Sequence, residues 1–295
     1  MKFSGYDPEI TAGRFSSLLS GSLHTDGGGR VHSIFQSSLN LMLADTMIHI
    51  DSGEKGLCAF GISLSRRDYS ALSGRLCAGD PVRIRAGVIR FYGSYGVCCI
   101  RTGGLSETDL KLPEFLEECT ESALAACRTL LRSEETGIRG HLGLPSEDRR
   151  EAIFEKLRRA DPADPGLIDQ LAEAAAYLKG RGQGLTPAGD DILTGYGIAA
   201  RFGEVGEPFL TALQRTPSRT TDVSEAYLSA MRQGYANELC LAFLTESKPG
   251  TGPDDARYRA LQQVGHSSGW DTLFGLLLGL ETLSLRERPC QKDFR

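Results

Sequence analysis

The N-terminal third of the chain alternates apolar and polar positions in the way that is typical of β-strands. Between Val31 and about Arg101 the apolar residues are β-branched or recur at every second position, as in the runs TMIHI and VRIRAGVIRFYG. Turn sequences such as Asp51-Ser-Gly53 and Gly79-Asp-Pro81 separate these runs. The pattern predicts short strands of a sheet that closes or packs on itself, in a barrel- or sandwich-like domain.

After Pro113 the apolar residues recur at the three- and four-residue spacings of α-helices. Asp222 and Glu225 form the capping-box pattern expected at the start of one helix. Helical patterns follow at about 147–160, 167–179, 191–202, 207–215, 223–245, 254–264 and 270–286. The sequence therefore predicts an α+β protein, with a β-rich domain over residues 1–110, an α-helical bundle domain over 111–286 and a polar tail over 287–295.

Composition and charge exclude several classes of partner. The 33 basic and 38 acidic residues give a net charge of −5, so no overall field attracts nucleic acid or anionic lipid. No stretch approaches the roughly 18 apolar residues of a membrane span, and the N-terminus lacks the pattern of a signal peptide. The 8 cysteines are scattered without a C-x-x-C pair. We therefore expect a cytoplasmic protein with reduced thiols that binds neither nucleic acid nor a membrane.

The densest local feature is the glycine-rich segment 180–191, which leads directly into a helix. Such a loop can aim backbone N–H groups at an anion, and the helix N-terminus adds partial positive charge. Two carboxylates stand at the same place: Asp190 and Asp191 either cap the helix or hold Mg²⁺ that in turn holds an anionic ligand. The groups offered to the anion itself are the backbone of Gly182, Gly184 and Gly189 and the hydroxyl of Thr186.

A second loop, residues 265–271, leads into the last helix in the same way. Sliding the first loop along the chain by 81 positions aligns Asp190 with Asp271. We expect the two loops to face each other and form one polar site, with Asp190 or Asp191 near Asp271. Alternatively, each loop is an ordinary helix cap with glycine for its turn. The glycines inside the two helices favour close helix packing that brings the loops together; they are Gly195, Gly197, Gly275 and Gly279.

Residue chemistry suggests roles within this composite site. His266 is suited to polarise a carbonyl or exchange a proton, and Asp190 and Asp271 are the other candidate catalytic groups. A structural role for His266 and a surface position for Arg219 are the alternatives. The three carboxylates of Asp190, Asp191 and Asp271 are also candidate ligands for Mg²⁺, the one cofactor that the sequence suggests. The candidate substrate-binding residues are Gly182, Gly184, Thr186, Gly189, Asp191, Ser267, Ser268 and Arg219.

The two loops resemble the signature loops of a known bacterial family. The strings Gly184-Leu-Thr-Pro-Ala-Gly-Asp-Asp191 and Gly265-His-Ser-Ser-Gly-Trp-Asp271 are similar to those of a domain formerly of unknown function and often labelled putative carboxylase. That family includes the AllH-type subunit of oxamate carbamoyltransferase. The resemblance implies a role in purine or allantoin breakdown, where a carbamoyl group is exchanged between oxalurate and phosphate in a complex with two other subunits. It assigns no catalytic residue in this chain.

The sequence thus favours a subunit of an oxamate- or oxalurate-type carbamoyltransferase that binds a small anion such as carbamoyl phosphate and assembles with other subunits. Carbamoyl transfer needs an anion cradle and donors aimed at a carbonyl oxygen, both of which the loops offer. One alternative is a stand-alone Mg-dependent hydrolase that resembles ADP-ribosylglycohydrolases, with the three aspartates as metal ligands. Another is a non-catalytic assembly subunit whose glycine loops only shape a scaffold.

Overall fold

The computed structural model describes residues 9–114, 118–216 and 219–284. These residues divide into two compact units. Unit 1 contains the described residues up to Lys111 together with Tyr235–Glu238, and unit 2 contains the others. The predicted polar tail at 287–295 lies outside the described residues. Within the described ranges, no helix combines the length and the apolar character needed to cross a membrane.

Unit 1 is built on a ten-stranded sheet. Its strands are β1 (Glu9–Ile10), β2 (Arg14–Ser16), β3 (Gly27–Ile34), β4 (Ser38–Leu43), β5 (Thr46–Asp51), β6 (Gly61–Ser63), β7 (Pro81–Arg85), β8 (Val88–Gly93), β9 (Gly96–Arg101) and β10 (Ser106–Thr108). They lie in the order β1-β9-β8-β7-β3-β4-β5-β6-β2-β10. The pairs β1 with β9, β5 with β6, and β2 with β10 are parallel, and the other neighbours are antiparallel.

The apolar and polar residues that alternate in the sequence lie on opposite faces of this sheet. Leu41 of β4 lies opposite Ile48 of β5, and both side chains are buried. In β7 the buried residues Val82 and Ile84 alternate with exposed neighbours. Burying one face of each strand supplies the apolar core of the unit. Two short α-helices, α1 (Ser20–His24) and α2 (Arg66–Ser73), and two 3-10 helices, Ser17–Leu19 and Thr102–Gly104, also belong to this unit.

Unit 2 is helical, as the change of period predicts. Its helices are α3 (Glu118–Ser133), α4 (Glu135–Gly140), α5 (Asp148–Arg158), α6 (Leu167–Leu178), α7 (Ala188–Ala200), α8 (Gly206–Arg215), α9 (Asp222–Arg232), α10 (Glu238–Glu246), α11 (Ala256–Gln262) and α12 (Ser268–Glu281). The first residue of α10, Glu238, belongs to unit 1. A β-sheet region followed by a helical region confirms the predicted α+β class.

Two local predictions about helices are wrong. The single helix expected over 223–245 is interrupted between α9 and α10, because Gly234 has a φ of +83° and the carbonyl of Leu110 binds the N–H of Ala236. The capping box at Asp222 does not form. Thr221 is the N-cap of α9, and its hydroxyl accepts the N–H of Ser224. A threonine one position earlier competes successfully for the cap.

The centre of unit 2 is the pair α7 and α12. All residues of α7 are buried, which is expected of a helix that is apolar on every side. A Cβ on Gly195 would overlap the carbonyl oxygen of Thr272, and a Cβ on Gly275 would overlap that of Ile192. Close packing through glycine is therefore confirmed. The contact positions advance from the N-terminus toward the C-terminus along both helices, so α7 and α12 are parallel. The two loops that precede them therefore lie at the same end of the pair.

These contacts are reciprocal, and they correct the alignment of the two loops. Gly195 and Gly275 differ by 80 positions, and so do their partners Ile192 and Thr272. The two helices are thus related by an approximate two-fold axis with an offset of 80 residues, where the sequence comparison used 81. In the corrected register the residue equivalent to Asp271 is Asp191.

Candidate functional site

The first loop is held in a conformation that glycine permits. Gly182 has a φ of +124°, in the region that residues with a side chain rarely adopt. A Cβ there would also lie 2.6 Å from the backbone nitrogen of Ala188, the first residue of α7. The turn therefore presses against the start of the helix. Gly182 and Gly184 are exposed, and Thr186 is half-buried, so this end of α7 is accessible.

Asp190 fastens this loop. One of its carboxylate oxygens accepts the N–H of Gly180 at 2.9 Å, and the other accepts the hydroxyl of Thr220. Burial raises the pKa of Asp190, while the bonds from Thr220 and Gly180 oppose the shift. Because both oxygens already have partners, the contacts of Asp190 are those of a clamp between the loop and α7.

Asp191 and Asp271 differ from Asp190 because each has an oxygen without a partner. Both side chains are buried, at 8% and 0% exposure, and in each the Oδ2 atom makes no hydrogen bond among the described residues. The other oxygen of Asp271 accepts the N–H of Gly143 at 2.9 Å. Buried polar atoms without partners are rare in folded proteins and call for an explanation. Here they occupy equivalent positions in the first turns of α7 and α12.

The two carboxyl groups are electrostatically coupled. Burial raises the pKa of Asp191 well above its usual range, and the negative charge of Asp271 raises it further, against a hydrogen bond from Ser268. Burial also raises the pKa of Asp271 to about 6, against hydrogen bonds from Gly143 and Ser267. The structure therefore brings Asp191 and Asp271 together, as was expected of Asp271 and one of the first-loop aspartates.

Hydroxyl groups surround the two carboxyls. Thr186 Oγ1 lies 3.0 Å from Ser268 Oγ, so a hydrogen bond joins the two loops directly. Ser268 and Ser267 lower the pKa values of Asp191 and Asp271, respectively. These five side chains and the N-termini of two parallel helices thus form one polar cluster. We name Asp191, Asp271, Thr186, Ser267 and Ser268 the twin-helix site.

A third segment, which sequence reasoning missed, closes over this cluster. A Cβ on Gly143 would lie 2.6 Å from Ser267 Oγ, 2.9 Å from Ala188 Cβ and 3.1 Å from Asp271 Oδ2. Gly143 therefore sits between the starts of both helices, where a side chain has no room. Its neighbour His141 stacks on Trp270, with ring centroids 4.4 Å apart. The segment lies far from both loops along the chain, and only its glycine hints at a close approach.

Other candidates make no hydrogen bond to Asp191 or Asp271 among the described residues. His266 is exposed and makes no hydrogen bond to the residues that the structure describes. The side chain of Arg219 is also exposed, and what touches the first loop is its backbone, whose carbonyl oxygen would lie 2.5 Å from a Cβ on Gly180. Gly189 serves packing, because a Cβ there would overlap the carbonyl oxygen of Leu178. Their proposed chemical roles stay predictions.

The donor set for a metal ion is smaller than expected. Within residues 9–114, 118–216 and 219–284, no three His, Cys, Asp or Glu side chains are grouped as ligands of one ion. Asp190 is engaged by Gly180 and Thr220. The unpartnered oxygens of Asp191 and Asp271 fit a cation in charge and chemistry, but they supply two carboxylates where three were predicted.

Both the segment that carries the two loops and the segment that forms the sheet match models of one protein family. Residues 178–280, which contain both loops, match the family described as oxamate carbamoyltransferase subunit AllH. Residues 9–104, which contain β1 to β9, match the AllH family N-terminal domain. Together these matches cover most of the chain, and the chain belongs to the AllH family. No solved structure matches it.

Proposed function

We propose that this protein is a subunit of an oxamate carbamoyltransferase and that its twin-helix site binds the carbamoyl-bearing substrate. Family membership supports the subunit role. One observation carries the substrate assignment: at a position suited to an anion, two buried carboxyl groups each keep one oxygen without a hydrogen-bond donor. A ligand that satisfies both features has N–H donors next to a negative group.

Carbamoyl phosphate, oxamate and oxalurate all have this composition. Each carries an amide-type NH₂ group close to a phosphate or carboxylate. In the proposed complex the NH₂ group donates to Oδ2 of Asp191 or Asp271. Without the ligand this atom is buried without a hydrogen-bond partner, which is unfavourable in free energy. The discrimination follows from chemistry, because a ligand with no N–H donor leaves both oxygens unsatisfied.

The anionic end of the substrate has its own partners. The N-termini of α7 and α12 point in the same direction and carry partial positive charge. Thr186, Ser267 and Ser268 add hydroxyl donors at the same place.

Isothermal titration of the purified chain with carbamoyl phosphate and with oxamate tests the proposal. We expect Asp191→Asn and Asp271→Asn each to weaken binding by about 10-fold or more. In Asn an NH₂ group replaces one carboxylate oxygen, so that position cannot accept a hydrogen bond from the NH₂ group of the ligand, and the negative charge is lost. The control is Asp169→Asn, an exposed residue in the first turn of α6. Unchanged affinity in both site variants would contradict the assignment.

A Mg-dependent hydrolase is the second candidate, because the same two unpartnered oxygens fit a cation. Thermal unfolding with and without Mg²⁺ separates the two functions. A Mg²⁺-dependent rise in melting temperature that Asp191→Asn abolishes supports the hydrolase. No effect of Mg²⁺, together with a rise caused by carbamoyl phosphate, supports the transferase subunit. If neither ligand changes the melting temperature, the purely structural subunit is favoured.

A further inference from the structure

A group of arginines lies on one face of the sheet of unit 1. Arg83 and Arg85 alternate with buried residues on β7, and Arg83 lies directly opposite Arg90 on β8. Arg30 on β3 lies opposite Pro81, which shares a face with Arg83 because side chains two positions apart point the same way. These four arginines therefore project from the same side of three neighbouring strands. We call them the arginine face.

The arginines of this face lack partners among the residues that the structure describes. Among the described residues, none of the four forms an ion pair or a hydrogen bond through its side chain, although Arg101 in the same sheet pairs with Glu9. Arg30, Arg83 and Arg85 are exposed. Like charges directly opposite each other on adjacent strands destabilise a sheet. Stability of the fold therefore does not account for Arg83 and Arg90.

A groove runs beside the arginines. It has a volume of about 540 Å³ and is lined by Asp26, Gly27–Gly29, Pro81, Val82, Arg83 and Tyr92. Gly28 lies opposite Arg83 and is exposed, with the nearest atom to a hypothetical Cβ 4.0 Å away. No steric demand of the fold requires a glycine at this position. A glycine in a strand does, however, let another chain approach the backbone closely.

Aromatic side chains border the same face. Tyr92 is 43% exposed and Tyr95, in the turn between β8 and β9, is 60% exposed. Tyrosine and arginine are the residue types that most often dominate protein interfaces. The four charges span three strands, or about 10 Å, which is more than one phosphate or carboxylate group covers. The surface therefore fits a macromolecule better than a small anion.

We propose that the arginine face docks an acidic segment of a partner protein, whose carboxylates pair with the arginines and whose chain lies in the groove over Gly28. Charge complementarity supports this choice of partner. The chain as a whole has a charge of −5, so it repels an extended phosphate backbone. A small acidic patch on a protein, in contrast, contacts the arginine face without approaching the negative charges elsewhere on the chain. The inference rests on the proposed function only where it takes the partner to be another carbamoyltransferase subunit.

The test uses the full chain, with the other purified subunits of an oxamate carbamoyltransferase as the probe, and measures Kd at low and high salt. Arg83→Glu is the principal variant, because it places opposite charges across β7 and β8 and so favours folding while it reverses the docking charge. We expect it to keep or raise the melting temperature and to weaken binding at least 10-fold. Gly28→Val, which fills the groove, is expected to weaken binding as well. Arg67→Glu, on the exposed surface of α2, is the control and should leave Kd within about twofold.

Four results would overturn the proposal. These are no binding of the subunits to the unaltered chain, equal losses in Arg83→Glu and Arg67→Glu, tight binding of duplex DNA through the same arginines, and a self-association that Arg83→Glu abolishes. Titration of the chain alone with carbamoyl phosphate is done in parallel. Docking that is lost in Arg83→Glu while carbamoyl phosphate never binds would leave the arginine face standing and refute only the twin-helix assignment.

Discussion

The first turns of α7 and α12 occupy equivalent places about the approximate two-fold axis, but they use adjacent positions differently. In the offset of 80, Asp191 matches Asp271, whereas Asp190 matches Trp270. The matched pair consists of buried carboxyls with a free oxygen each. The unmatched residues fasten the surrounding loops, Asp190 through hydrogen bonds and Trp270 through a stack on His141. The residues that match between the two helices thus belong to the twin-helix site, and the residues that differ hold the loops around it in place.

The strongest test of this symmetry is to add a methyl group at its contact points. Gly195→Ala and Gly275→Ala should each lower the free energy of unfolding by at least about 3 kcal/mol, because each Cβ would overlap a backbone carbonyl of the other helix. Urea denaturation measures the effect.

The two losses should agree within about 1 kcal/mol, since the contacts are reciprocal. Gly137→Ala is the control: it lies in α4 with open space around it, and alanine should stabilise that helix by about 0.5–1 kcal/mol. A large loss at only one of the two contact glycines would break the symmetry.

A smaller effect is expected from pH. The pKa of Asp271 is raised to about 6, so the folded state binds its proton more tightly than the unfolded state does. The stability that this proton contributes is complete below the unfolded pKa of about 4 and is lost as pH rises through about 6. Relative to the unaltered protein, Asp271→Asn should therefore gain up to about 3 kcal/mol between pH 4 and pH 7.

Urea denaturation at both pH values measures this difference, with Asp169→Asn as the matched substitution at an exposed helix start. Because Asp191 is buried in the equivalent place and its pKa is also raised, Asp191→Asn should change stability with pH in the same direction. Opposite directions in the two variants would show that the equivalence is geometric only.

The smallest effect is expected from the residues that hold the surrounding loops in place. His141→Ala removes the stack on Trp270 and should cost about 1 kcal/mol, because aromatic pairs contribute about 0.5–1.5 kcal/mol beyond the area they bury. A double-mutant cycle with Trp270→Ala isolates the pair. A coupling energy near zero would mean that the stack does not help to hold the segment containing Gly143, which is also held by its N–H bond to Asp271 and by the bond of Arg150 to Leu144.

The parts of the fold that were predicted correctly depend on local pattern. The alternation in β7 and the glycines of α7 and α12 are properties of short stretches, and they gave the class of fold and the close helix contact. The break has a local signal in Gly234, a glycine that suits the position just past the end of α9, but the bond of Ala236 to the carbonyl of Leu110 depends on a residue distant along the chain. The role of Gly143 likewise depends on its contacts with Ser267, Ala188 and Asp271, which are distant from it along the chain.

The site itself was partly predictable for the same reason. The strings around Asp191 and Asp271 pointed to two loops that meet, and the structure brings these two residues together. Their register depended on which glycine opposes which carbonyl, a matter of packing, so Asp190 was aligned where Asp191 belongs. Burial then separates the neighbours: Asp190 has Gly180 and Thr220 as partners, and Asp191 keeps an oxygen free.

The contact between α7 and α12 has a further consequence for how this protein tolerates change. Main chain touches main chain at Gly195 and Gly275, so no flexible side chain stands between the two helix axes. The separation of Asp191 and Asp271 is then fixed by peptide geometry and is insulated from substitutions elsewhere in the core. Substitutions of the apolar residues around these helices should therefore change the spacing of the two carboxyls little.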